Sequence, residues 1–71
     1  VDYDYSKLRG RIRERFGTQD NFAKAMEMSF STLSLKLNNK AEWTQDEMRR
    51  ACRLLEINEN NIITYFFTHE V

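Results

Sequence analysis

The sequence has 71 residues, room for one hydrophobic core, and a chain of this size buries only about 60% of the surface its unfolded form exposes. Eleven Lys/Arg balance eleven Asp/Glu, which argues against an indiscriminate polyanion binder, and no apolar run approaches the ~20 residues of a membrane span. Cys52 is the only cysteine, so no intrachain disulfide forms, as suits a reducing cytosol; the expected role of Cys52 is that of a small apolar core residue. The charge is unevenly spread: residues 1–40 hold eight Lys/Arg against five acids, and residues 41–71 hold three against six. Only the N-terminal part suits a partner that carries phosphates.

The first predicted helix covers 5–16. Asp4 is its N-cap, with Tyr3 and Leu8 as the hydrophobic staple that fixes the entry of the chain. Tyr5, Leu8, Ile12 and Phe16 step along one face. Lys7, Arg9, Arg11, Arg13 and Arg15 lie off it, either as a solvated polar side or as a grip on nucleic acid. The second helix covers 19–26, capped by Thr18 and lacking a staple because Gly17 precedes the cap; its inner face is Phe22, Ala23 and Met26. The third covers 30–37, capped by Ser29 and stapled by Met28 and Leu33, with Leu33 and Leu37 inward. The fourth covers 45–55. Thr44 caps it, Trp43 and Met48 form the staple, and Glu47 completes a capping box; Met48, Ala51, Cys52 and Leu55 make the inner stripe. The fifth covers 59–66, capped by Asn58 and stapled by Ile57 and Ile62, with Ile62, Ile63 and Phe66 inward and Phe67 to Val71 trailing off. No strand pattern competes, so the expected fold is an all-α five-helix bundle occupying residues 1–71 as one domain.

Residues 19–38 contain Gln19, Ala23, Ser29, Thr32, Leu33 and Ser34 at the spacing Q-x-x-x-A-x-x-x-x-x-S-x-x-T-L-S. This segment resembles the helix-turn-helix of the lambdoid repressor and Cro-like proteins. The run Thr-Leu-Ser-Leu-Lys-Leu-Asn-Asn-Lys, the aromatic residue before the fourth helix and the Tyr-Phe-Phe near the end resemble the modulator-of-repression proteins of temperate lactococcal phages. The resemblance implies a lambda-repressor-like domain with the helix-turn-helix at helices 2 and 3. It also implies a regulator of the lysis–lysogeny switch in the cytoplasm of a bacterial host. Two positions depart from the family pattern. Glu27 stands where the turn glycine usually sits, so either a left-handed residue is kept at a cost of roughly 1 kcal/mol or the turn is of another type. Lys36 replaces a core aliphatic, with Leu37 expected to take over the packing.

By position in that family, Phe30, Ser31, Ser34 and Leu35 face the major groove of DNA, with Asn38 beyond them. Phosphate contacts fall to Thr18, Gln19, Lys36 and Lys40, and Asn38 can join them. Specific base readout usually rests on bidentate Arg, Lys, Asn or Gln, and none stands at the four groove-facing places. Two readings follow. In one, the chain binds operator DNA alone, as a Cro-like repressor. In the other, Phe30 and Leu35 are an apolar patch that docks the DNA-binding domain of the companion phage repressor, with or without a joint complex on DNA. Both require the two side chains to be exposed, against the plainer alternatives that Phe30 folds back onto the core and Leu35 is a scattered surface leucine.

Catalysis is not expected. His69 is the only histidine and lies in the tail, and Cys52 sits in a core stripe with no histidine near it in sequence. One cysteine and one histidine do not make a zinc site, no glycine-rich phosphate loop exists, and no cofactor, metal or small-molecule substrate is implied. Ile63, Tyr65, Phe66 and Phe67 either pair two copies through the last helix or close the monomer's own core.

Overall fold

The computed structural model describes residues 2–69. Helices α1 (Ser6–Phe16), α2 (Gln19–Ala25), α3 (Phe30–Leu37), α4 (Gln45–Leu55) and α5 (Ile62–Phe66) follow in order, with a 3₁₀ turn at Glu59–Asn61 leading into α5. Among the described residues there is no strand, only one antiparallel bridge between Tyr3 and His69. Helix α1 packs against α2, α4 and α5, and α3 packs against α2. Leu8, Ile12, Phe22, Ala23, Met26, Leu33, Leu37, Ala51, Cys52, Leu55 and Phe66 form one continuous core, joined by Tyr5 and Ile57.

The helix starts are local events, and the side chains that begin them are the expected ones. Thr18 Oγ1 accepts the Asn21 N–H at 3.1 Å and Ser29 Oγ accepts the Thr32 N–H at 3.0 Å. At α4 the capping box closes in both directions, with the Glu47 N–H on Thr44 Oγ1 (3.1 Å) and the Thr44 N–H on Glu47 Oε1 (2.9 Å). Asn58 caps the 3₁₀ turn through the Asn60 N–H, at 2.9 Å. The first start is displaced by one residue: Tyr5 is the N-cap, without a side-chain bond, and Asp4 accepts the Ser6 N–H at 2.9 Å and the Ser6 hydroxyl as well. The hydroxyl, then the N–H, holds the Asp4 carboxyl below the ordinary aspartate range.

The helix ends work differently. Only α1 ends on a glycine, Gly17 at φ +80°. Glu27, Asn39 and Glu56 are left-handed at φ 60°, 61° and 54°, and each closes the preceding helix with a pair of backward N–H bonds. After α2, the Met28 N–H reaches the Ala23 carbonyl and the Glu27 N–H that of Lys24, both at 3.0 Å. The left-handed turn therefore persists with glutamate in place of glycine. An arginine from another helix then satisfies a terminal carbonyl at each of these three ends. Arg50 Nη1 donates to Met26 (3.2 Å), Arg9 Nη2 to Leu37 (2.8 Å) and Arg11 Nε to Leu55 (2.8 Å). Cations at helix C-termini also complement the macrodipole.

Two expectations about the last helix are corrected. Ile63 points outward and is 72% exposed, because the stripe that meets the core is Ile62 and Phe66, one turn apart, with Phe66 only 1% exposed. Residues 67–69 do not trail off. The Asp4 N–H donates to the Thr68 carbonyl at 2.7 Å, and the Phe67 and His69 rings pack on Tyr3. The rest of the expected tail, residues 70 and 71, lies outside the described residues.

Candidate functional site

Helix α3 divides cleanly between its two sides. Leu33, Lys36 and Leu37 are buried, whereas Phe30 and Leu35 are 50% and 49% exposed. Phe30 therefore does not fold back into the core. Ser31 and Asn38 are exposed on the same side and Ser34 is half-buried, so the five residues at positions i, i+1, i+4, i+5 and i+8 share one outer face.

The polar members of this face are partly committed to the protein itself. Asn38 Nδ2 donates to the Ser34 carbonyl (2.8 Å) and to Ser34 Oγ (3.3 Å), while Asn38 Oδ1 accepts from Arg9 Nη2 at 3.1 Å. A bidentate grip on an adenine edge would require Asn38 to give up these bonds. Thr18 spends its hydroxyl oxygen on the cap of α2. Lys40 is exposed just beyond α3, and its N–H closes that helix on the Leu35 carbonyl at 2.8 Å.

Lys36 is the clear correction among the phosphate candidates. Its side chain lies inside, the Nζ donating to the Glu42 carbonyl (2.8 Å) and pairing with Glu47 Oε1 (2.9 Å). An ammonium held there by α4 cannot reach a phosphate, so Lys36 belongs to the fold. Burial alone would raise the Glu47 carboxyl, but the Thr44 N–H and then Lys36 outweigh it and hold the group below the ordinary glutamate value of 4.5. Both Lys36 and Leu37 fill the inner side of α3, so neither substitutes for the other.

Sequence spacing hid two neighbours of the face. Arginines at alternate positions of a helix are 200° apart, so the four on α1 split into two pairs. Arg11 and Arg15 turn to the end of α4, Arg11 to the Leu55 and Glu56 carbonyls and Arg15 to the Glu56 carboxylate. Arg9 and Arg13 turn the other way and, with Gln19 and Phe30, line a groove of about 390 Å³ floored by Ile12. The paired spacing 9/13 and 11/15 was the available signal, but which carbonyls each pair would find depends on how α3 and α4 lie against α1.

Cys52 is buried, and desolvation pushes its thiol above its ordinary value, with Glu59 adding to the effect. That is the environment of an inert core thiol, not of a nucleophile.

Fold and surface together define a small all-helical protein whose third helix is fixed at both ends and offers its outer side to solvent. The family model described as "Protein of unknown function (DUF739)" matches residues 1–69, and the chain belongs to that family. Its structure is similar to the solution structure of the modulator of repression (MOR) of the temperate bacteriophage TP901-1 from Lactococcus lactis. The match has a TM-score of 0.85 and 51% identity, covering 100% of this chain and 96% of that one. No curated protein matches the chain. Among the described residues, no helix is long and apolar enough to cross a membrane.

Proposed function

We propose that this chain is a transcription regulator of a phage lysis–lysogeny switch, an antirepressor that acts in the cytoplasm of the bacterial host. In this reading α2 and α3 form a Cro-like helix-turn-helix whose outer face docks the DNA-binding domain of the companion phage repressor. Covering the repressor's operator-facing helices blocks or alters its hold on the operator, and no catalysis is involved. The likeness to a phage modulator of repression over the whole chain supports the regulatory role. The observation that carries the docking is the outer face of α3: two large apolar side chains half in water, and no guanidinium or uncommitted amide among them.

Independent binding to operator DNA is the competing outcome. A duplex binder of this size usually neutralises several phosphates at once, and with Lys36 committed to the core the cations that border α3 are Arg9, Arg13 and Lys40, none of them on its outer face. A gel-shift series over salt concentration, with the purified chain alone and with the companion repressor, separates the two. The expected result is no shift of operator DNA by the chain alone and loss or alteration of the repressor's shift. Tight operator binding by the chain alone, with a steep salt slope, would overturn the antirepressor reading.

A further inference from the structure

We propose that the groove beside Phe30 is a carboxylate-anchoring subsite, which takes an acidic side chain of the protein partner and so sets the register of the apolar contact. The proposal rests on the antirepressor reading and adds to it the charge that the partner must present next to its apolar surface.

Arg9, Arg13, Gln19 and Phe30 line this groove over Ile12, and no acidic residue lines it. Elsewhere on α1 the guanidinium groups are spent: Arg11 pairs with Glu14 and with the end of α4, and Arg15 pairs with Glu56. At the groove they are not. Arg9 uses Nη2 on α3, which fixes the plane of its guanidinium, and its other N–H groups have no partner among the described residues. The Arg13 side chain is exposed and makes neither an ion pair nor a hydrogen bond among them, and the Gln19 side-chain amide is likewise unengaged. The result is the free donor fork of Arg13, a second cation one turn away in Arg9 whose Nη2 is tied to α3, and an amide, all beside a half-exposed aromatic ring. Two arginines four residues apart, with no carboxylate lining the groove, make it locally positive, while Asp2 and Asp4 line a neighbouring groove with Arg9.

Planar donor forks match a carboxylate in two parallel hydrogen bonds, and a phosphate equally. The surroundings decide between them. A duplex binder usually meets several phosphates at once, but Lys36 is turned inward and the outer face beyond Phe30 continues with Leu35. One anionic anchor next to an apolar contact is the pattern of a protein interface, where a buried or partly buried charge pair fixes orientation and specificity.

The test is calorimetric titration of the full chain against the DNA-binding domain of the companion repressor, with far-ultraviolet melting of each variant to check folding. Arg13→Glu is expected to weaken binding by about tenfold or more and to flatten its salt dependence, and Arg13→Lys, which keeps the charge but loses the planar fork, to weaken it by a smaller factor. Reversing one acidic residue of the repressor to lysine is expected to restore binding to Arg13→Glu. Wild-type affinity in Arg13→Glu, alongside weakened binding in Leu35→Ala, overturns the subsite and leaves the antirepressor reading in place. Failure of the wild-type chain to bind the repressor at all overturns that reading and the subsite with it. Loss of operator-duplex binding in Arg13→Glu, with repressor affinity unchanged, shows that the groove takes phosphate and overturns the proposal.

Discussion

Helix α3, and helix α5 with its C-cap residue Phe67, each leave two large apolar side chains at least partly in water, yet they are not equivalent surfaces. Phe30 and Leu35 are 50% and 49% exposed, and Ile63 and Phe67 are 72% and 39% exposed. The difference lies in the support beneath them. Helix α3 is capped by Ser29, closed by a left-handed Asn39 and tied to α1 by Arg9, and it borders a groove that carries two arginines. Helix α5 has five residues, no side-chain cap, and one fully buried side chain, Phe66. Exposure of apolar surface alone does not mark a site. A rigid backbone under it lowers the entropy lost on docking, and flanking charge gives orientation.

The comparison breaks most easily at Phe66. Truncation to alanine removes the only fully buried contact of α5 and is expected to cost about 3–5 kcal/mol, read as a lowered urea midpoint. A change below about 1 kcal/mol would show that the terminal pairing, not this side chain, holds α5. Phe30→Ala and Leu35→Ala test the other side. Each is expected to weaken the functional interaction by about 1–3 kcal/mol with thermal stability nearly intact, while Ile63→Ala leaves binding unchanged. If Ile63→Ala weakens binding as much as Leu35→Ala, α5 belongs to the interface and the two surfaces are equivalent.

A pH titration sharpens the contrast, because α3 is tied to α4 by a titrating pair. The Glu47 carboxyl is held below its ordinary value of 4.5, so its contribution to stability is fully present above that value and is lost as acid takes the pH through the lower, folded one. Stability should therefore fall as the pH drops below about 4.5, and Glu47→Gln should show a shallower fall than the wild-type chain. Equal slopes would mean that neither the Thr44 N–H nor Lys36 favours the charged carboxyl. The smallest effect expected is at the turn before α3. Glu27→Gly relieves a left-handed glutamate at φ 60° and should stabilise the chain by about 0.5–1 kcal/mol, after loss of its exposed contact with Arg50. A destabilised Glu27→Gly would show that the Arg50 contact outweighs the backbone strain.

Much of this fold was legible because its signals are short-range. Thr18, Ser29, Thr44 and Asn58 begin their helices as the sequence implies, since a cap needs only its own N–H neighbours. The miss at Asp4 is of the same kind and one residue wide, because an aspartate two positions before an N–H can bond it outside the helix as well as at a cap. The placing of Phe30 and Leu35 on α3 came from the family resemblance, which left open whether Phe30 folds back; the structure puts both half in water. Ile63 was not legible, because a five-residue helix entered through a 3₁₀ turn is too short for its hydrophobic period to say which isoleucine faces inward.

The amino-acid sequence by itself therefore determined where most helices begin and which stripes are apolar. Each of these depends on residues within about one or two helical turns. Only the tertiary structure decided where the long cationic side chains go. Lys36 turned inward to Glu47, Arg11 and Arg15 closed α4, and Arg9 and Arg13 were left facing a groove, because a flexible cation follows whichever carbonyl or carboxylate another helix brings within its reach.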